Sequence, residues 1–386
     1  MPHPPIYLDN AATTPVREEV FEAMRPFFGA KFGNPSSVHR FGREARVALD
    51  EARERLATCL GAHADEVSFN SCGTEGDNTA VLCLWRAMRD AGRNAVVTTP
   101  IEHKAVLAAA HEVAHEGGEE RTLDVDANGV VIDESFDALV RDDVAVTSVM
   151  WVNNETGVIQ DIPALAKRAK ARGVSFHTDA VQAFGKIAID ARTQAFDLLS
   201  ISGHKIGAPK GIGALYIRRG TAFEPLIRGG SQDRGRRAGT ENVAYVVGLA
   251  TAAELAVAER EQHWQETERM RDRLQALLLA AIPDAVVHSV GARRAPHVLN
   301  ISVPGTDNES LLMALDLRGV ACSGGSACQS GSVIPSHVLS AMGVEPSLAA
   351  AAIRMSFGPI NTEADVDRVA ELFPKLVAKA RTVVPV

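Results

Sequence analysis

Short apolar runs recur along the first 220 residues, with room for a helix between most of them, and this alternation constrains the fold more than any other feature. The runs are 66–70 (EVSFN), 95–99 (AVVTT), 144–152 (VAVTSVMWV), 174–178 (VSFHT), 197–201 (DLLSI) and 213–218 (GALYIR). Each is close to continuously apolar, the pattern of strands buried on both faces. Helical segments are expected between them near 77–91, 103–116 and 161–172. A long charged amphipathic helix should precede them, capped by Ser36 or Ser37 and ended by Gly61. The fold class that follows is α/β, a mainly parallel sheet flanked by helices. After a Gly- and Arg-rich loop at 228–240, a helical stretch is expected over roughly 241–281. Strands at 297–303 and 353–357, with helices near 308–318 and 362–380, then read as a smaller α+β domain. A chain of 386 residues is long enough for both units. The expected division is a large domain over 15–255 and a small domain of 1–14 plus 256–386.

A formal net charge of −8 disfavours nucleic acid, because phosphate binding leans on clustered cations. The one basic cluster, Arg234, Arg236 and Arg237, reads as a local anion site or a solvated loop. The start, Met-Pro-His-Pro-Pro, has neither a basic nor an apolar leader region, so no signal peptide is expected. No apolar stretch reaches a membrane span. Five cysteines (59, 72, 83, 322 and 328) form no CxxC pair, which fits a reducing cytoplasm. Four suit a core. Cys328 differs, since Gly and Ser flank it on both sides: an exposed reactive thiol and an inconsequential surface thiol are both open readings.

Ligands of open α/β sheets sit beyond the carboxyl ends of the strands, so the residues just after each run are the candidates. The first run delivers Ser71-Cys72-Gly73-Thr74, either a phosphate cradle at a helix start or a plain N-cap. The next deliver Glu102-His103, Asn153-Asn154-Glu155, Asp179 with Gln182, and Ser202-Gly203-His204-Lys205. A strand-end Asp paired with a strand-end Lys suits pyridoxal phosphate, which needs an amine for its aldehyde and a carboxylate against its ring nitrogen. Gly73, Thr74, Ser202 and His204 are candidates for its phosphate, and His103 for stacking on its ring.

These endings, together with Tyr7–Pro15 (YLDNAATTP), Arg234–Thr240 (RGRRAGT), Ser326-Ala327-Cys328 and Arg354, resemble the cysteine desulfurases. That group lies in class V of the aminotransferases, within the fold-type I pyridoxal phosphate enzymes. The resemblance spans almost the whole chain and implies a transferase that converts L-cysteine to L-alanine. It implies Lys205 as the Schiff-base lysine, Asp179 on the ring nitrogen, Gln182 on the ring hydroxyl, and His103 on the ring and in proton transfer. Thr240 would reach the phosphate of a partner subunit, which implies a homodimer. Asn154, also counted with the cofactor, and Arg354 would hold the substrate carboxylate, a task that suits the planar guanidinium fork. Cys328 would be the nucleophile that takes the sulfur as a persulfide. The spacing from Cys328 to Arg354 resembles the long-loop group that serves nitrogen fixation and iron–sulfur cluster assembly. A scaffold or sulfur-carrier protein would then receive the sulfur, with no intrinsic metal site and Cys328 meeting a cluster only during transfer.

Two rival readings remain. His111-Glu112-Val113-Ala114-His115 is a literal HExxH zinc motif, but Gly117-Gly118 would end its helix at once. Within the same fold, a selenocysteine lyase or a cysteine sulfinate desulfinase is the alternative, and Cys328 favours the desulfurase.

Overall fold

In the computed structural model, which describes residues 4–324 and 335–383, the apolar runs become one seven-stranded sheet. Its strands are β1 (Val67–Asn70), β2 (Ala95–Thr98), β3 (Glu119–Thr122), β4 (Val144–Ser148), β5 (Ser175–Asp179), β6 (Leu198–Ser202) and β7 (Gly213–Ile217). Across the sheet they run β1-β7-β6-β5-β4-β2-β3. The pairings from β6 through β5, β4 and β2 to β3 are parallel. Strand β7 is antiparallel to both β6 and β1, so β1 points with the parallel set. Every strand but β7 therefore releases its chain at one edge, where the candidate residues follow.

Both faces are covered, as the continuous apolar runs require. Val97, Phe176, Leu199 and Tyr216 sit in one core, and their neighbours Val96, Leu198, Leu215 and Ile217 in another. The strand alternation thus splits the runs at 95–99, 197–201 and 213–218 between two apolar layers.

Several details differ from the sequence reading. Helix Arg40–Leu60 is capped by His39, whose Nδ1 accepts the Gly42 N–H at 3.2 Å. Ser36 is drawn into a turn instead, its N–H donating to Asn34 Oδ1, so neither serine caps the helix. Gly61 ends it in the left-handed region (φ 63°), as glycine allows. Strand β3 (Glu-Glu-Arg-Thr) had no apolar signature because it is an edge strand, paired only with β2. The stretch 241–281 is two helices, Val243–Ala258 and Arg260–Ala281. They break at Glu259, whose carboxylate is held by Arg17 at 2.5 Å.

A second core gathers Ile6 and Leu8 with Leu274, Leu299, Ile301, Leu315, Ile353 and Phe373. Its sheet is antiparallel: β8 (Val286–Val287), β9 (Val298–Ser302) and β10 (Ala352–Ser356), in the order β10-β9-β8. Ile6–Tyr7 pairs in parallel with Val320–Ala321. The chain start is thereby tied to this unit, and the segment after it reaches across to the end of β6. No helix among the described residues is long and apolar enough to cross a membrane.

One buried ion pair fixes the Gly- and Arg-rich loop. Arg53, 3% exposed, meets Asp233, 7% exposed, at 2.6 Å, donates to Val67 O at 2.7 Å, and lies over the Phe69 ring. Ser68 Oγ donates to the same Asp233 carboxylate. Asp233 (φ 48°) and Arg234 (φ 61°) both adopt left-handed backbone, a strain of about 1 kcal/mol or more each that the pair must hold. Removing one partner leaves a buried charge uncompensated. Arg53→Met should therefore cost about 3–5 kcal/mol, seen as a lowered urea midpoint at unchanged slope.

Candidate active site

The strand ends converge on a cavity of about 530 Å³. Lys205 ends the 3-10 turn Gly203–Lys205 that follows β6 directly. Its Nζ donates to Ala11 O and Ala12 O, at 2.6 Å each. The segment that supplies those carbonyls is laced to the same turn: Thr14 N–H and Thr14 Oγ1 both donate to His204 O at 2.9 Å. Burial first, then the nearby Arg354 and Lys186, push the Lys205 ammonium down to about 8. This brings the titration of the amine closer to neutral pH, where it can exchange a proton more readily than an ordinary lysine.

Asp179, the last residue of β5, is 4% exposed, and its Oδ1 accepts the Val181 N–H at 2.8 Å. Gln182 donates through Nε2 to Ala11 O at 2.8 Å and faces His297 Nε2 through Oε1 at 3.1 Å. His103 caps helix Lys104–His115, its Nδ1 accepting the Ala105 N–H, which leaves the exposed ring at the cavity wall.

At the start of the helical run from Gly73, the N-cap Cys72 gives no side-chain hydrogen bond. Ser71 is no cap either, since its N–H and hydroxyl both donate to Glu75. The first-turn N–H groups of Gly73 and Thr74 therefore lack side-chain capping. Gly73 is needed for space, because a Cβ there would meet Val181 Cγ2 at 2.8 Å. Ser202 Oγ is buried and without a hydrogen-bond partner among the described residues. An orphaned hydroxyl beside uncapped helix N–H groups fits a phosphate. The cradle reading of Gly73-Thr74 thereby gains over the plain N-cap.

Arg354 lies in β10, 4% exposed. Its Nη2 meets Asp9 Oδ1 at 2.8 Å, its Nη1 donates to Asn154 O at 3.0 Å, and its Nε has no partner among the described residues. The backbone of Arg354 also bridges Ser323, just before the segment that contains Cys328. Cys328 itself lies outside the described residues. The positions on either side of that segment are at the cavity: Ser323 and His337 both line it, and Ser336 Oγ donates to Glu155 at 2.5 Å. Thr240 is not brought into this cavity by its own chain. It is exposed beside a separate depression of about 90 Å³.

Sequence reasoning missed the polar layer beneath Asp179. Asp77, His177, Ser148 and Ser200 are all buried there, with His177 bonded to Ser148 Oγ at 2.8 Å and to Ser200 Oγ at 2.9 Å. Burial holds His177 neutral, its value down to about 3. Burial and the neighbouring Asp179 raise Asp77 well above the carboxylate range. Burial also raises Asp179, but His103 and Lys205 oppose this, so of the two acids Asp77 is pushed further towards its neutral form. Asp77 sits one helical turn after Gly73, a spacing that could have flagged it.

Glu102 is fully buried, its Oε1 accepting from Thr99 Oγ1 and Met150 N–H at 2.8 Å each. Burial pushes it up to about 8 from an ordinary 4.5. The folded chain then keeps a proton that the unfolded chain releases, so stability falls as pH rises from 4.5 towards 8, by at most about 4 kcal/mol. Glu102→Gln keeps the acceptor and removes the titration. Its thermal midpoint should match the wild type near pH 5 and exceed it increasingly towards pH 8.

The HExxH residues stand apart. The side chains of His111 and His115 are 70% and 84% exposed, and His111 pairs with Glu120 at 2.5 Å. Among the described residues no three potential ligands gather around a metal position.

Comparison with known proteins agrees with the geometry. Residues 6–369 match the aminotransferase class-V family model. The chain is 47% identical over 381 residues to the cysteine desulfurase NifS of Azotobacter vinelandii, covering 98% of this chain and 94% of that one. It is 44% identical to the cysteine desulfurase IscS of Dictyoglomus turgidum, with 98% and 96% covered. Among solved structures, a NifS-like protein superposes with a TM-score of 0.91 at 36% identity, covering 97% of this chain and all of that one. SspA in complex with cysteine superposes at 0.81 with 31% identity, covering 92% of this chain and 100% of that one. Cavity, sheet order and relatives agree, and the chain belongs to the pyridoxal-phosphate-dependent aminotransferase class-V family, alongside its cysteine desulfurases.

Proposed function

We propose that the chain converts L-cysteine to L-alanine and carries the released sulfur on Cys328 for delivery to iron–sulfur clusters and related acceptors. One observation carries this reading: a half-buried Lys205 and a buried Asp179 share a cavity whose wall also holds Arg354 and both flanks of the Cys328 segment. Gly73, Thr74, Ser202 and His204 would hold the cofactor phosphate, Asp179 the ring nitrogen, Gln182 the ring hydroxyl, and Asn154 and His103 the ring faces and edge. Bound there, pyridoxal phosphate supplies the electron sink that makes an amino acid α-proton removable.

The remaining work falls to side chains. Arg354, whose Nε has no partner among the described residues, takes the substrate carboxylate, and Asn154 lies beside it. The Lys205 amine takes the α-proton and returns it to product carbon. His103 moves the proton of the substrate thiol. The Cys328 thiolate attacks the substrate sulfur, so an S–S bond forms as the C–S bond breaks. Two further parts belong to the same proposal. A homodimer would bring Thr240 to the phosphate of the partner subunit, and a scaffold or carrier protein would accept the sulfur in the cytoplasm. The large domain is taken as 15–255, with 1–14 and 256–386 forming the small one.

The test is stoichiometry and mass. With L-cysteine and a reducing thiol, alanine and sulfide should appear in equal amounts. Without the thiol, the peptide containing Cys328 should gain one sulfur atom, and Cys328→Ala should abolish both that gain and sulfide release while keeping the cofactor absorbance. Sulfide release that survives Cys328→Ala would overturn the assignment of the nucleophile. Faster turnover of selenocysteine or cysteine sulfinate than of cysteine would favour the alternative lyases.

A further inference from the structure

A second cavity, also of about 530 Å³, shares only Lys205 with the first and is otherwise walled separately. It lies where the segment 14–19, the start of helix Arg260–Ala281 and the turn 357–360 meet. Phe184, Trp264, Phe357 and Ile360 give it apolar walls. Its volume is in the range that takes a small organic ligand.

The charges on those walls are not all paired. Arg17 is met by Glu19 at 3.1 Å and by Glu259 at 2.5 Å, and His263 lies 3.4 Å from the same Glu259. Lys186 and Arg260, each only partly exposed, have no carboxylate or hydrogen-bond partner among the described residues. Glu18 and Glu19 are exposed at the edge of the cavity. Asp161 and Glu261 border an adjoining groove with Lys186 and Arg260, yet pair with neither. Lys186 and Arg260 are thus two cations without a partner among the described residues, set beside apolar walls. His297 also lines the cavity at 3% exposure, its Nε2 turned to Gln182 Oε1.

We propose that this cavity binds a small amphipathic monocarboxylate, its carboxylate held by Lys186 and Arg260 and its hydrocarbon part among Phe184, Trp264, Phe357 and Ile360. An unpaired ammonium against apolar walls is penalised, and burial holds Lys186 down to about 8. A bound carboxylate removes that penalty, while the aromatic walls take up hydrocarbon surface. A zwitterionic amino acid fits poorly, because its ammonium would meet two cations.

The probe is octanoate, titrated into the cofactor-loaded enzyme and followed by tryptophan fluorescence. Trp85 and Trp151 are 1% and 2% exposed, so Trp264 is the residue placed to respond. Saturable binding is expected with a Kd below about 1 mM, undisturbed by saturating L-alanine. Lys186→Met and Arg260→Gln should each weaken it about tenfold or more, with the absorbance of the bound cofactor retained. Arg260 is on a helix surface, so its variant keeps the test decisive if Lys186→Met fails to fold. The proposal is overturned if octanoate does not saturate below several mM, if L-alanine displaces it, or if both variants bind it as the wild type does.

Discussion

Lys205→Ala should slow alanine formation from L-cysteine by a factor of about 10³ or more, and borohydride reduction should then leave no cofactor covalently attached. Two effects act together. On the proposed function the variant loses the amine that would bind the cofactor aldehyde and also the group that would take the α-proton, a loss worth about 10²–10⁴ on its own. Stability should change little. The two Nζ bonds to Ala11 and Ala12 disappear, but so does a cation that burial disfavours. Small loss of thermal stability with a large loss of turnover separates chemistry from folding. A small primary amine added in solution should restore part of the rate, since the cavity then has room for it. Turnover within tenfold of the wild type would mean that another group removes the proton.

Lys205 and Asp179 were legible because a parallel strand gives its last residue an address: apolar run, then a polar residue at the rim. The same logic placed Asn154, Ser202 and His103 at one cavity. Strand β3 was not legible, because an edge strand needs one buried position and Arg121 fills it through Glu119 and Asp143. Nor was the cap of Arg40–Leu60, where the Asn34 turn competed for Ser36 and left the role to His39. Asp77 behind the site escaped for a different reason. It looks like an ordinary surface carboxylate until the fold encloses it, and its raised titration follows from that enclosure, as does that of Glu102. Asp9 was seen only as part of a resembling segment, whereas its pairing with Arg354 spans 345 positions of sequence, a separation no local pattern reports.

Asp179→Asn should retain the fold and lower turnover by about 10²–10³, because on the proposed function it removes the carboxylate that would face the ring nitrogen, while keeping the acceptor for the Val181 N–H. An asparagine cannot stabilise a protonated pyridine, so the ring loses its capacity to accept electrons from the α-carbon. The absorbance of the bound cofactor should shift accordingly. Asp77→Asn is the control. Burial already pushes Asp77 towards its neutral form, so exchanging its carboxyl for an amide should leave turnover within about tenfold. Stability gives a second, opposite readout. In the cofactor-free chain, burial raises Asp179, so the folded state binds a proton more readily than the unfolded one. Its contribution to stability is therefore lost as pH rises above the ordinary carboxylate value. Cofactor-free Asp179→Asn should accordingly match or exceed the wild type in thermal midpoint at pH 7, while the gain in midpoint on adding pyridoxal phosphate should shrink. Equal gains for the two proteins would show that Asp179 does not pair with the ring nitrogen.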